Sequence, residues 1–203
     1  KNFKVAAVDL KNLVPAGKGQ KSAASKFFRK NFKLLQYVES GKPVKLDFAV
    51  RKIYKNPINI PVNVKDSNGT PVDQFRITQP KQSYTLKKSG NSGIMLLEIN
   101  TGAHAVAITS GQAGQAILAD TRTGMFCASG AKFYFMVPSG VADIRLEVAP
   151  DLGEPVGAEL LDPSGKTMAS FSRSDSIRQL FHQRKDTSKA EIWCLTFPYV
   201  HED

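Results

Sequence analysis

The chain is poor in the residue types that most often carry chemistry. Its 203 residues include two cysteines, three histidines and one tryptophan. His104, His182 and His201 lie in separate segments with no HxH, HExxH or Cys/His spacing, which removes the common zinc signatures. No acidic run of the DxDxDG kind supplies the 6–8 oxygen ligands that calcium needs. Ser110-Gly111 and Ser139-Gly140 lack the strand-to-helix setting of a GxSxG nucleophile. No catalytic residue, metal or cofactor is therefore expected. Long apolar runs are missing as well. Nothing approaches the ~20 consecutive residues of a membrane helix, so membrane insertion is not expected. The first residue is Lys1, which reads as the start of a mature product or an excised fragment.

Acidic residues are scarce at one end. Residues 1–55 hold 14 of the 28 Lys and Arg but only 3 of the 18 Asp and Glu, so the +10 net charge resides there. The densest part runs Lys18, Lys21, Lys26, Arg29, Lys30, Lys33. It reads first as a solvated face, and the alternative is a polyanion contact, such as an acidic polysaccharide, through Lys26, Arg29, Lys30 and Lys33. Nucleic acid is not an expected partner, because no aromatics are spaced for stacking and no reading helix is present.

The most informative positive feature is an internal repeat at a spacing of about 96–100 residues. Tyr37-Val-Glu-Ser-Gly41 matches Met136-Val-Pro-Ser-Gly140, and Val44-Lys-Leu-Asp-Phe48 matches Ile144-Arg-Leu-Glu-Val148. The turn Asp66-Ser-Asn-Gly69 matches Asp162-Pro-Ser-Gly165, and Phe75 matches Phe171. Ile94-Met-Leu-Leu-Glu-Ile99 matches Ile192-Trp-Cys-Leu-Thr-Phe197. The openings correspond loosely, Val8 and Leu10 against Val106 and Ile108. Repetition of this length points to two tandem copies of one domain, with boundaries expected at 1–101 and 102–203.

Each copy alternates with period two. Val44, Leu46, Phe48 and Val50 share one strand face, as do Ile60, Val62 and Val64. Phe133, Phe135 and Val137 oppose Tyr134 and Met136. Short strands separated by Gly, Pro, Asn and Ser are the pattern of β-sandwiches. The expected class is all-β, as two tandem antiparallel sandwiches of the jelly-roll or immunoglobulin kind. One short helix is expected over Ser22–Phe32, capped by Ser22, within a basic insertion at 15–33 of the first copy. The polar stretch Ser174–Lys189 reads as a long surface connection.

The remaining polar and aromatic residues read mainly as structure. Asp66 and Asp162 are expected to bond the backbone two residues on, with Gly69 and Gly165 closing the turns. Cys127 and Cys194 are expected as buried thiols, and a disulfide between them is the alternative in an oxidising compartment. Trp193 aligns with Met95 and shares a face with Leu195 and Phe197, a core position. Tyr54, Tyr84, Tyr134 and Tyr199 are left as candidate ligand-binding aromatics. Asp47 and Glu147 occupy equivalent strand positions, each in its own copy, and do not read as a catalytic pair.

Phe133-Tyr-Phe-Met-Val-Pro-Ser-Gly140, Leu161-Asp-Pro-Ser-Gly-Lys166 and Glu191-Ile-Trp-Cys-Leu195 together resemble the prepeptidase-C-like and galactose-binding-like β-sandwich modules of secreted bacterial proteins, many of them glycoside-hydrolase-like. The resemblance covers residues 131–197 and thins over the first copy. It implies a non-catalytic accessory module outside the cytoplasm that contacts carbohydrate or neighbouring domains of a longer parent chain. The motifs are turns and core strands, so no family binding residues carry over.

Overall fold

The computed structural model describes residues 27–87, 92–111, 114–118, 123–126, 129–150 and 153–201. Within them the chain is all-β and antiparallel, with fifteen strands and no helix. It divides into two compact units, 1–126 and 127–203.

The first unit builds its sheet around one long strand. β1 (Phe27–Val38) pairs with β6 (Gly93–Asn100) and β8 (Gln115–Leu118) along its later residues. Its first residues pair with β7 (Ala105–Ser110) and β9 (Thr123–Phe126). The switch falls at Lys30, whose φ of 61° is the one positive value at a non-glycine position among the described residues. A left-handed residue bends an extended chain sharply. The sheet continues as β4 (Pro71–Ile77), β3 (Ile60–Lys65), β6, β1, β7, β2 (Val44–Arg51) and β5 (Lys81–Leu86). Its two halves fold over a common core in which Leu46, Phe48, Ile60, Ile77 and Leu97 are fully buried. Each large side chain withdrawn from water in this way contributes roughly 1.5–3 kcal/mol.

The helix expected over Ser22–Phe32 is not formed where it can be seen: Phe27–Phe32 belong to β1, and Ser22–Lys26 lie outside the described residues. Phe28 and Phe32 sit four apart, a spacing that suits one helix face and also one strand face. The bend at Lys30 brings their rings to 5.0 Å, with both side chains buried.

The second unit has a four-stranded sheet, β10 (Ala131–Val137), β15 (Glu191–Val200), β12 (Val156–Leu161) and β13 (Thr167–Ser174). A two-stranded sheet, β11 (Asp143–Val148) and β14 (Arg178–Gln183), shares its core. Trp193 is buried there, and Leu195 and Phe197 pack with it. The stretch Ser174–Lys189 is not a surface connection throughout. It contains β14, whose Leu180 is in the core, and the buried Arg184. Cys194 is a buried thiol, and Cys127 lies outside the described residues.

The pairing scheme of six strands occurs twice. The path β4-β3-β6-β1 matches β13-β12-β15-β10, and the pair β2-β5 matches β11-β14. The two Asp turns are built alike. Asp66 Oδ1 accepts from the N–H of Asn68 (2.8 Å) and Thr70 (2.9 Å). Asp162 Oδ1 accepts from Ser164 (2.9 Å) and Lys166 (2.9 Å). Gly69 and Gly165 take φ of 81° and 88° and donate to the Asp carbonyls. These bonds, the Ser164 hydroxyl foremost, hold the Asp162 carboxyl below the usual carboxylate range.

The units do not meet at residues 101 and 102. β7 pairs with β2 over Ala105–Ser110, and β8 and β9 pair with β1, so the segment to Phe126 is bonded into the first unit. Val106 and Ile108 accordingly sit in the first core rather than opening a second copy. Val8 and Leu10 lie outside the described residues.

Candidate functional site

Pairing register assembles a polar cleft that no short stretch of sequence contains. On the outer face of the first unit, three neighbouring strands place two rows of side chains side by side. Asn31 of β1 faces Asn100 of β6, with Pro61 of β3 alongside. The second row is Lys33, Glu98 and Asn63, joined by direct Lys33–Glu98 and Asn63–Glu98 partnering. Asn31 and Lys33 lie on the face of β1 opposite Phe32, Leu34 and Val38, a face that further along carries a second buried cluster of Leu35, Ile94 and Leu96. The cleft has a volume of about 280 Å³, near the lower end for small-ligand sites.

Its hydrogen-bonding capacity is largely unspent. Among the described residues the side-chain amides of Asn31 and Asn63 make no hydrogen bond within the protein, whereas Asn100 Oδ1 accepts from the Gly102 N–H at 3.0 Å. Glu98 is paired with Lys65 at 2.8 Å, each side chain about one-third exposed. A planar amide offers donors and an acceptor on one rigid group, which matches adjacent hydroxyls of a polyol.

The second unit serves as an internal control. Its equivalent rows hold Gly130 and Pro198 in place of Asn31 and Asn100, and Lys132, Thr196 and Glu159 in place of Lys33, Glu98 and Asn63. The same strand pairing forms there without any of the three asparagines. The fold therefore does not require amides at these positions.

A second concavity, of about 340 Å³, lies on the outer face of β5, β2 and β7, lined by Asp47, Ala49, Lys81, Ser83 and Thr109 among others. Its carboxylate is already satisfied. Asp47 accepts from the Ser83 hydroxyl and pairs with Lys45 at 3.1 Å, which holds its carboxyl below the usual range. Glu147, its counterpart, is exposed on β11 of the other unit.

The four tyrosines fall into different settings. Tyr54 is 56% exposed between β2 and β3, and Tyr134 is 68% exposed beside Met136 and Ile192 on the outer face of β10 and β15. Tyr84 is engaged internally: its ring stacks on Phe75 with centroids 3.7 Å apart, and its hydroxyl donates to Asp73. Burial, then the Asp73 bond, pushes its pKa up to about 12. Tyr199 lies under the Arg173 guanidinium at 5.1 Å. Tyr54 and Tyr84 belong to the first unit, Tyr134 and Tyr199 to the second.

Of the basic residues, Lys33 is in the cleft and Lys26 lies outside the described residues. Arg29 and Lys30 are each engaged within the protein. Among the described residues no group of three or more His, Cys, Asp or Glu is placed to hold a metal, and no helix is long and apolar enough to cross a membrane. A scan against protein-family models finds no match, and a search of curated proteins finds no similar sequence.

In the sequence, Lys33 stands out by its charge, whereas Asn31, Asn63, Glu98 and Asn100 carry no such mark. Exposed asparagines carry no signal singly. Here the signal lies in the comparison of repeats, where Asn63 aligns with Glu159 and Asn100 with Pro198.

Proposed function

We propose that this chain is a non-catalytic accessory segment of a secreted bacterial protein, made of two tandem β-sandwiches, and that its first unit contacts carbohydrate through the asparagine-lined cleft. The observation that carries the reading is the internal control: three amides line this face in one unit and are absent from the same face of the other. Asn31 and Asn63, whose amides make no hydrogen bond among the described residues, are the two that a ligand can account for. The absence of a stacking aromatic implies modest affinity, built from hydrogen bonds worth about 0.5–1.5 kcal/mol each. The exposed Tyr134, Met136 and Ile192 face is a second surface, suited to a neighbouring domain of a longer parent chain.

The test is a glycan array followed by titration calorimetry with the chain and with Asn31→Ala and Asn63→Ala. Binding to a glycan that weakens several-fold in both variants, with an unchanged melting midpoint, is the expected result. Binding that ignores both substitutions would remove the cleft from the account. The other reading, a polyanion contact through Lys26, Arg29, Lys30 and Lys33, predicts a steep loss of binding with salt.

A further inference from the structure

The cleft is lined by one ammonium, Lys33, and one carboxylate, Glu98, and a second ammonium, Lys65, stands beside it. One carboxylate, Glu98, stands between two ammonium groups. Lys65 on β3 takes it in an ion pair at 2.8 Å. Lys33 on β1 is its direct strand partner on the other side, yet forms no ion pair among the described residues. With Glu98 paired to Lys65, Lys33 is left without an ion-pair partner among the described residues, in a cleft that Asn31, Asn63 and Asn100 also line. Half-burial of the side chain reduces solvent screening of that charge. We infer that the cleft takes an acidic sugar, a hexuronate unit whose single carboxylate pairs with Lys33 while its hydroxyls bond to Asn31, Asn63 and Asn100. This rests on the carbohydrate reading above and deepens it.

The stoichiometry favours a uronate over a more highly charged polyanion. A nucleic-acid or polysulfate track needs a run of cations to neutralise successive charges. The cleft offers one ammonium beyond the Lys65–Glu98 pair, with three amides in the same lining, which fits one carboxylate per ring and several hydroxyls. The second unit again provides the contrast. Lys132 occupies the position of Lys33, but Gly130 and Pro198 replace the surrounding amides.

The experiment is calorimetric titration with an oligogalacturonate and with the same oligomer after methyl esterification, which removes the charge and keeps the ring. The variants are Lys33→Gln, Lys132→Gln and Asn63→Ala, each checked for an unaltered melting midpoint. A charge-assisted bond lost should weaken binding about tenfold or more. The expected result is preference for the free acid by that factor, loss of the preference in Lys33→Gln, and no change in Lys132→Gln. Equal binding of acid and ester, with Asn63→Ala still damaging, would overturn the acidic-sugar inference and leave the carbohydrate cleft standing. Equal damage from Lys33→Gln and Lys132→Gln would overturn it in favour of net charge. Binding of neither oligomer, together with a silent glycan array, would overturn both readings.

Discussion

At the scale of single residues, Arg184 is a charged side chain buried in the second unit, 5% exposed. Its Nη1 donates to the carbonyls of Pro138 (3.0 Å) and Val141 (2.9 Å), and its Nη2 donates to Lys189 (2.7 Å). Its Nε lies 3.1 Å from Glu191 Oε2, close enough for an ion pair but off the line of a hydrogen bond. The same carboxylate oxygen accepts from the Trp193 indole at 3.0 Å. One guanidinium thus ties the β10–β11 turn to the loop after β14 and to the core tryptophan. Arg184→Met should cost about 1–3 kcal/mol by urea denaturation, because it removes the donors of three backbone carbonyls and the cation beside Glu191. Arg184→Lys should recover only part of that, since one ammonium cannot reproduce the planar fork. The sequence offered no warning, because an arginine in a polar stretch reads as a surface residue.

Tyr84 makes a different prediction. Its pKa is raised from 10.0 to about 12 in the folded chain. The unfolded chain therefore releases this proton first as the solution becomes alkaline. The associated stability is fully present below pH about 10 and fades as pH rises through about 12. Tyr84→Phe should flatten that decline in denaturation midpoints, and the wild type should show one late step in tyrosinate absorbance. A wild-type decline matched by the variant would assign the effect to other groups.

At the scale of elements, the alternating strands and both Asp turns were legible because their causes are local. Val44, Leu46 and Phe48 fix which face of β2 goes inward, and an Asp followed three residues later by Gly closes its own turn. β1 was not legible in the same way. Its Phe28 and Phe32 satisfy two periodicities, and only the long-range ladders to β6, β7, β8 and β9 decide between them. The cleft was hidden for the same reason, since Asn31, Asn63 and Asn100 become neighbours only through register. A further element-level device is the irregular pairing of β12 at Gly157, where a Cβ would meet the Ser172 carbonyl oxygen at 2.2 Å. Gly157→Ala should destabilise the second unit by about 1–3 kcal/mol or prevent its folding. A variant with the wild-type melting midpoint would show that β13 gives way easily there.

At the scale of the whole molecule, repeat matching placed the strand correspondences well and the division between units badly. The repeat compares sequence with sequence, whereas a boundary is set by which strands bond together. β7 follows the repeat spacing but bonds to β2, so its core residue Val106 belongs to the first unit. A fragment ending at residue 101 should therefore expose β2 and lose cooperative unfolding, while fragments 1–126 and 127–203 should each fold. Circular dichroism melts of the three fragments check this. A cooperative melt of 1–101 would mean that β7 to β9 are dispensable.

Tension along the chain would not be shared evenly by the two units. β1 is laced on both sides, to β6 and β8 over one stretch and to β7 and β9 over the other. Drawing it out lengthwise loads many bonds in shear at once. Its counterpart β10 is paired, among the described strands, with β15 alone. Under a steady pull the second unit should yield first, because rupture under load follows the unfolding rate of the weaker element. The face that carries Asn31, Asn63 and Asn100 lies on the unit that would keep its shape under that load.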